Sequence, residues 1–212
     1  MIPAIFGLSG LTLTADERAF FRDSEPAGYI LFGRNIENRE QLLRLTDELR
    51  SLEGRGNLPI LIDQEGGRVA RMKAPEWPDF PSGAAFDALY ERAPASAIEA
   101  ARLNAMALAS MMAEVGITVD CLPLLDVRQP GASDVIGDRA LGSEPMRVAA
   151  LGRTEHRTPR RSGKAATQAI ACAQRGRLPD RSGWANWSVH RGCAVRRSGA
   201  ATARGFQCCG RI

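Results

Sequence analysis

The sequence predicts an α/β fold built on a parallel β-sheet. Short apolar runs alternate with stretches of helical periodicity, in units of about thirty residues. The apolar runs at residues 28–33 and 60–62 are nearly continuous, which is typical of strands buried on both faces, and polar residues follow each of them directly. This order of strand, helix, strand, helix and strand indicates repeated crossovers between parallel strands.

The first 62 residues supply three of the predicted strands, at 2–8, at 28–33 and at the apolar run that begins with Ile60. Between the first two, Thr14 and Glu17 have the spacing of a capping box, which predicts a helix over about residues 15–23. Asn38 is a suitable cap for a second helix, in which leucines recur every three or four residues at 42, 45, 49 and 52.

After the third strand, residues 72–94 are predicted to form a long loop, because they hold four prolines and no clear periodicity. A helical face then runs from Ala101 to Val115 and ends at Gly116. Residues 117–120 predict a fourth strand, and residues 121–127 extend the pattern to a further one. A loop at 131–142 and an amphipathic segment starting near Pro145 complete this part of the chain.

Charge divides the chain at about residue 150. Residues 1–150 carry 15 basic and 22 acidic side chains, whereas residues 151–212 carry 13 basic and 2 acidic ones, so the net charges are −7 and +11. Only 7 of the last 62 residues are Leu, Ile, Val, Phe or Met. Because so little apolar surface cannot offset the entropy cost of ordering a backbone, we expect a basic, disordered or poorly packed tail at 151–212.

Cysteine usage and hydropathy exclude several classes of protein. Four of the five cysteines lie in the tail without Cys-x-x-Cys spacing, so we expect no zinc site there. No metal ligand and no cofactor is predicted elsewhere in the chain. The single cysteine before residue 150, Cys121, suits a reducing cytoplasm. The sequence has no run of about 18 apolar residues and no basic segment leading into an apolar core, so we expect neither a membrane span nor a signal peptide.

The candidate functional site is the polar stretch DQEGGRVAR at residues 63–71, which follows the third strand. Its two adjacent glycines allow positive φ and leave room for another group to come close. A purely structural alternative is that Asp63 caps a turn, Glu65 pairs with Arg68 and the glycines only allow the bend. Later carboxylates are expected at the same edge of the sheet, because they also follow predicted strands: Asp120 and Asp126.

Three segments resemble the family 3 glycoside hydrolases, and in particular their bacterial β-N-acetylglucosaminidases that act on cell-wall fragments. They are GYILFGRN at 28–35, DQEGGRVAR at 63–71 and, after LDV at 125–127, IGDR at 136–139. The resemblance covers residues 1 to about 150. It implies that this part is the N-terminal portion of a (β/α)8 TIM-like barrel, with its site at the C-terminal ends of the strands.

The resemblance also implies roles for individual residues. Asp63, Arg71 and Arg139 match positions that bind the non-reducing N-acetylglucosamine, and carboxylate and guanidinium groups suit sugar hydroxyls because they accept and donate in fixed geometry. The implied activity is retaining hydrolysis of peptidoglycan fragments without a cofactor, in the cytoplasm. Four neighbouring residues are expected to support the loop rather than touch the sugar: Glu65, Gly66, Gly67 and Arg68.

The family's catalytic segments have no counterpart in this sequence, so no catalytic residue is assigned. The family uses an aspartate nucleophile from a later strand, and a His-Asp pair carried by Lys-His-x-Pro-Gly-His-Gly and Asp-Ser-His. Neither His156 nor His190 has those neighbours, and Asp180 is the only aspartate after residue 150. We therefore expect no measurable hydrolysis, and the simplest hypothesis is a reading frame that slips near residue 151.

A competing interpretation is a non-catalytic nucleic-acid-binding or adaptor protein that uses the basic tail. Arginine pairs at 160–161 and 196–197, with Trp184 and Trp187, could contact phosphates and stack on bases. Because the arginines are scattered and residues 1–150 are acidic, we expect no nucleic-acid partner. The resemblance implies a carbohydrate partner instead, and no membrane partner is expected. A barrel enzyme that cradles phosphate on the glycine pair is a third possibility, weakened because no Gly-Lys-Ser/Thr follows.

Overall fold

The computed structural model of the chain describes residues 1–156 and four short segments beyond them, at 168–169, 189–190, 193–195 and 208–209. Strands and helices alternate along the chain. In order they are β1 (Ile2–Gly7), α1 (Ala15–Ser24), β2 (Pro26–Leu31), α2 (Arg39–Glu53), β3 (Ile60–Ile62), α3 (Gly83–Arg92), α4 (Pro94–Glu114), β4 (Val119–Asp120), α5 (Pro145–His156), β5 (Gln168–Ala169), β6 (Val189–His190), β7 (Cys193–Val195) and β8 (Cys208–Cys209).

The main sheet is parallel, and its strands follow one another in chain order from β1 to β5. This confirms the predicted α/β class with a parallel sheet. Strands that lie side by side in chain order, joined by helices, are the arrangement that βα barrels use. The last three strands form a separate antiparallel sheet in the order β6-β7-β8.

The predicted helix starts are confirmed by their capping hydrogen bonds. The Glu17 amide donates to the Thr14 hydroxyl at 3.1 Å, and the Thr14 amide donates to the Glu17 carboxylate at 2.9 Å, which completes the capping box of α1. At α2, the Asn38 side-chain oxygen accepts from the Gln41 amide at 2.9 Å. Local side chains therefore fix where both helices begin.

Alternation along the strands separates two apolar faces. Side chains such as Tyr29 and Ile62 pack with the α2 leucines in the largest core cluster, which is the helix-facing side of the sheet. The intervening residues Ile30, Leu61 and Val119 form a separate cluster, joined by Ile5 and Phe32. We call this second side the inner face, because in a βα barrel the side of the sheet away from the helices lines the interior.

Two predictions about irregular segments are wrong. Residues 72–94 are not all loop, because α3 occupies Gly83–Arg92 and packs against α4. The prolines flank this helix instead of interrupting it, and Pro94 is the first residue of α4, where its missing N–H costs no hydrogen bond. Residues 121–127 form no strand, since Pro123 lacks an amide donor and β5 takes the place beside β4.

The predicted boundary at residue 150 falls inside α5, where Leu151 is fully buried. Most of the predicted basic tail lies outside the described residues, as do the side chains of the two histidines and the arginine and tryptophan groups of the nucleic-acid interpretation. Across the part of the chain that is described, no helix has the length and apolar character needed to cross a membrane. The same residues contain no grouping of acidic, histidine or cysteine side chains suited to a metal ion.

Candidate functional site

The centre of the candidate site is an ion pair between Asp63 and Arg71, at the carboxyl end of β3. Arg71 Nη2 donates to Asp63 Oδ2 at 2.9 Å, and the two side chains keep 31% and 24% of their surface exposed. The pairing of Leu31 with Ile62 puts the next residues, Phe32 and Asp63, at one level. Alternation places both on the inner face, above Leu61.

Gln64 holds the backbone beside this ion pair in place. Its side-chain oxygen accepts from the amides of Arg71 at 2.8 Å and Met72 at 2.9 Å, and its Nε2 donates to the Met72 carbonyl at 2.9 Å. The amide of Gln64 in turn donates to Asp120 Oδ1 at 3.0 Å. Gln64 is 1% exposed, and it was not among the residues predicted from the sequence to support the site. The sequence signal that could have identified Gln64 was its polar side chain at the point where a buried strand passes into a loop.

A second ion pair joins the stretch at 63–71 to the loop at 131–142. Arg139 donates to Glu65 through Nε at 2.8 Å and through Nη2 at 2.7 Å, and its Nη1 donates to the Val135 carbonyl at 3.1 Å. Glu65 and Arg139 are 7% and 10% exposed, and the hydrogen bonds from Arg139 to Glu65 raise the pKa of Arg139. The structural alternative that paired Glu65 with Arg68 is therefore wrong.

Arg68 makes a parallel connection between the same two segments. Its Nε donates to Asp138 at 2.7 Å, and its Nη2 donates to the carbonyls of Asp134 at 2.7 Å and Val135 at 2.8 Å. Because one guanidinium satisfies several carbonyls and a carboxylate of the second loop, it fixes that loop against residues 63–71. The sequence motif identified Arg68, but its partners are about seventy positions away and cannot be read from local spacing.

The glycine pair brings another part of the chain close. Gly66 and Gly67 have φ of +92° and +55°, as expected from the sequence. A Cβ on Gly66 would lie 2.3 Å from the Pro81 carbonyl oxygen, and one on Gly67 would lie 2.7 Å from the Ser82 side chain. The space beside the glycines is filled by residues 80–82, so the interpretation of the pair as a phosphate cradle is wrong.

The other carboxylates at this end of the sheet differ in placement and charge. Asp120 pairs in register with Ile62, so it lies on the helix-facing side, opposite Asp63, and burial raises its pKa. Burial also raises the pKa of Asp126, and the positive Arg139 opposes that shift. The two predicted carboxylates therefore lie at the expected end of the sheet. Asp120, however, accepts the hydrogen bond from the Gln64 amide on the helix-facing side and does not share the inner face with Asp63.

Glu155 is a buried carboxyl group that was not predicted from the sequence. It lies near the end of α5 and is 3% exposed, and its Oε2 has no hydrogen-bond partner among the residues described in the structure. Burial and the negative charge of Glu65 raise its pKa to about 8. Glu155 is therefore mostly neutral at pH 7. The low apolar content of its sequence surroundings gave no sign of a buried position.

Comparison with known proteins identifies the class. Residues 7–168 match the family model for the N-terminal domain of glycosyl hydrolase family 3. The chain therefore belongs to glycosyl hydrolase family 3, and the resemblance seen in the sequence motifs is confirmed. Residues after 168 lie outside the matched region.

The curated relatives are named β-hexosaminidases. The β-hexosaminidase of Aromatoleum aromaticum is 37% identical over 152 residues, covering 72% of this chain and 42% of the relative. The one from Alkalilimnicola ehrlichii is 38% identical over 151 residues, covering 71% of this chain and 42% of the relative. The chain thus spans less than half the length of these relatives.

Solved structures share this fold. NagZ from Neisseria gonorrhoeae, in complex with N-trifluoroacetyl-D-glucosamine, superposes with a TM-score of 0.68 at 31% identity, over 73% of this chain and 45% of NagZ. A family 3 β-N-acetylglucosaminidase from Paenibacillus superposes with a TM-score of 0.65 at 30% identity, over 72% of this chain and 28% of that enzyme. The parallel sheet therefore resembles the N-terminal, TIM-barrel-like domain of NagZ.

Proposed function

We propose that this chain is the amino-sugar-binding part of a family 3 β-N-acetylhexosaminidase. The observation that carries the proposal is the partly exposed ion pair of Asp63 and Arg71 at the carboxyl end of the parallel sheet. The proposed ligand is the terminal non-reducing N-acetylglucosamine of peptidoglycan fragments, and the proposed location is the cytoplasm. Membership in glycosyl hydrolase family 3 and similarity to curated β-hexosaminidases support a carbohydrate ligand.

The pair has hydrogen-bonding capacity left for a sugar. An ionised carboxylate accepts at both oxygens and a guanidinium has five N–H donors, while the contact between them uses Asp63 Oδ2 and Arg71 Nη2. Neighbouring hydroxyls of a pyranose offer donors and acceptors side by side, which matches this arrangement.

Arg139 is the third proposed sugar ligand, and its contacts limit what it contributes. Glu65 and Val135 use three of its five N–H groups, which leaves one on each terminal nitrogen for a sugar. Glu65 fixes the plane of the guanidinium through two parallel hydrogen bonds. In this proposal Glu65, Gly66, Gly67 and Arg68 act through the loop, and only Asp63, Arg71 and Arg139 contact the sugar.

We also propose that this part of the chain forms the first half of a (β/α)8 barrel whose interior is the inner face. The parallel strands in chain order support this proposal, as does the structural similarity to NagZ. Retaining hydrolysis needs a nucleophile and an acid-base group, and no residue of this chain is assigned to either role. The chain is accordingly proposed to bind the sugar without hydrolysing it.

The loss of the catalytic segments is ascribed to a reading frame that changes near residue 151. The swing in net charge from −7 before that point to +11 after it supports this origin. Sequencing the gene across codons 145–160 tests the idea, with the family's Lys-His-x-Pro-Gly-His-Gly pattern expected in another frame. An uninterrupted frame without that pattern in either alternative would contradict it.

Isothermal titration calorimetry with N-acetylglucosamine tests the binding proposal. A sugar of this size is expected to bind with a dissociation constant of about 1 mM, and Asp63→Ala should weaken binding at least about tenfold. Asp47→Ala is the matched control, because Asp47 lies on α2 and its side chain is 66% exposed. Equal affinity of the two variants, or no binding to the unsubstituted chain, would contradict the proposal.

Hydrolysis is measured separately with a chromogenic β-N-acetylglucosaminide. The expected result is no turnover above the buffer rate by the purified chain. Turnover that disappears in Asp63→Ala would show that the chain is active, and the proposal of binding without hydrolysis would be wrong.

A further inference from the structure

Arg34 lies beside the candidate site and takes no part in the proposed sugar contacts. It belongs to the 3-10 turn Gly33–Asn35 that directly follows β2. The register of β2 with β3 puts Phe32 next to Asp63 on the inner face. The guanidinium carbon of Arg34 lies 4.7 Å from the centre of the Phe32 ring. Arg34 is therefore at the same rim of the sheet as the Asp63–Arg71 pair, one strand away.

The position of this guanidinium is fixed by short contacts to the chain. Arg34 Nε donates to the Leu8 carbonyl at 2.7 Å, and the Phe32 ring lies against the guanidinium. The turn that carries Arg34 is held by Asn35, which donates to the Gly10 carbonyl at 2.8 Å and accepts from the Phe32 amide at 2.9 Å. The guanidinium is thus oriented before any ligand binds.

Gly7 keeps the space around this guanidinium open. A Cβ at Gly7 would lie 3.2 Å from the Phe32 ring and 3.3 Å from Arg34 Nη2, so a side chain there would displace one of them. Gly7 pairs with Ile30, which places it on the inner face as well. A small residue in this position leaves room for the Arg34 guanidinium over the Phe32 ring at the edge of the sheet.

The charge of Arg34 has no counterion in the described part of the chain. The other arginines of this rim each face a carboxylate: Arg68 faces Asp138, Arg71 faces Asp63 and Arg139 faces Glu65. No carboxylate among residues 1–156 forms an ion pair with the exposed Arg34. Since Nε is bound to the Leu8 carbonyl, the edge formed by Nη1 and Nη2 is available for an anion.

We propose that Arg34, held on Phe32, binds a carboxylate on the leaving-group side of the amino sugar, so that the site prefers acidic β-N-acetylglucosaminides over neutral ones. The inference rests on the proposed function of the Asp63–Arg71 pair. Adjacent strands are about 4.8 Å apart, so the guanidinium lies on the order of 10 Å from Asp63, within reach of a group attached to the bound sugar. The two terminal nitrogens suit a carboxylate because they donate in parallel.

The test compares two non-hydrolysable ligands that differ only in charge. They are the para-carboxyphenyl and para-carbamoylphenyl thioglycosides of N-acetylglucosamine, titrated into the full chain by calorimetry. We expect the chain to bind the carboxylate about tenfold more tightly than the amide, as a charge-assisted hydrogen-bonded pair predicts. Arg34→Gln should abolish this preference and leave the affinity for the amide unchanged, whereas Arg34→Lys should retain a smaller preference because the charge remains.

The matched control is Arg22→Gln. Arg22 is an exposed arginine in the last turn of α1, at the opposite end of the sheet, and its replacement should leave the preference unchanged. Equal affinity of the unsubstituted chain for both ligands, or a preference that survives Arg34→Gln, would overturn the assignment of Arg34 and leave the sugar site intact. Failure of both thioglycosides to bind at all would overturn the proposed function itself, and this inference with it.

Discussion

The ion pair between Glu65 and Arg139 offers a direct measure of how the two loops of the site are held together. The side chains are 7% and 10% exposed and share two hydrogen bonds. Glu65→Leu would leave the Arg139 charge enclosed without its carboxylate. Arg139→Met would leave Glu65 near the buried Glu155 and the partly buried Asp126, and the negative charge of Glu65 already raises the pKa of both groups. Either single change therefore creates an uncompensated buried charge.

The expected magnitudes follow from the cost of an unpaired buried charge. Each single substitution should lower the free energy of unfolding by about 3–5 kcal/mol, because the remaining partner loses its hydrogen bonds while staying out of water. The double variant Glu65→Leu/Arg139→Met should cost less than the sum of the two, since it leaves neither charge. We expect a coupling energy on the order of 3 kcal/mol.

Urea unfolding is followed by circular dichroism for the unsubstituted chain, the two single variants and the double variant. Together these four measurements form a double-mutant cycle that gives the coupling energy. The control cycle uses Arg44 and Glu40, an ion pair on α2 whose side chains are 64% and 84% exposed. Its coupling energy should be about 0.5 kcal/mol or less, because water and salt screen an exposed pair. Additive effects at Glu65 and Arg139, comparable to those of the control, would refute the reasoning.

Two further predictions concern the same region. Gly66→Ala should destabilise the chain by about 3 kcal/mol or more, because the added methyl group would meet the Pro81 carbonyl at a residue with positive φ. The control Gly10→Ala should be near neutral, because the space around Gly10 is open. Equal urea midpoints of the two variants would contradict this prediction. Glu155 has a pKa of about 8 when folded against 4.5 as the reference value, so its stabilising effect is complete below pH 4.5 and is lost as the pH rises towards 8. Glu155→Gln should therefore flatten the dependence of the unfolding free energy on pH. One titrating group changes this free energy by at most about 1.4 kcal/mol per pH unit. An unchanged slope in the variant would argue against a buried Glu155.

The features that sequence predicted correctly depend on neighbours in the chain. The Thr14 and Asn38 caps and the apolar runs of β2 and β3 are determined by residues within a few positions. The helix α3 escaped detection because its apolar residues contact α4 and α5, while the prolines before and after it indicated a loop. Periodicity cannot distinguish a short helix of this kind from a proline-rich loop.

In the candidate site, too, the contacts between residues close in sequence could be predicted, and the contacts between distant residues could not. Asp63 and Arg71 lie eight residues apart in one motif, and the structure joins them directly. The partner of Glu65 is Arg139, which is 74 residues away, so the incorrect pairing with Arg68 followed from local spacing alone. Asp120 was placed at the correct end of the sheet, but its face depends on a register that only the assembled strands define.

A crystal structure of the chain grown or soaked with N-acetylglucosamine tests the central claim most directly. We expect the pyranose at the carboxyl end of β3, on the inner face, with its hydroxyl groups within hydrogen-bonding distance of both Asp63 and Arg71. A saturated crystal in which the sugar lies elsewhere, and the space above Asp63 holds only solvent, would contradict the account.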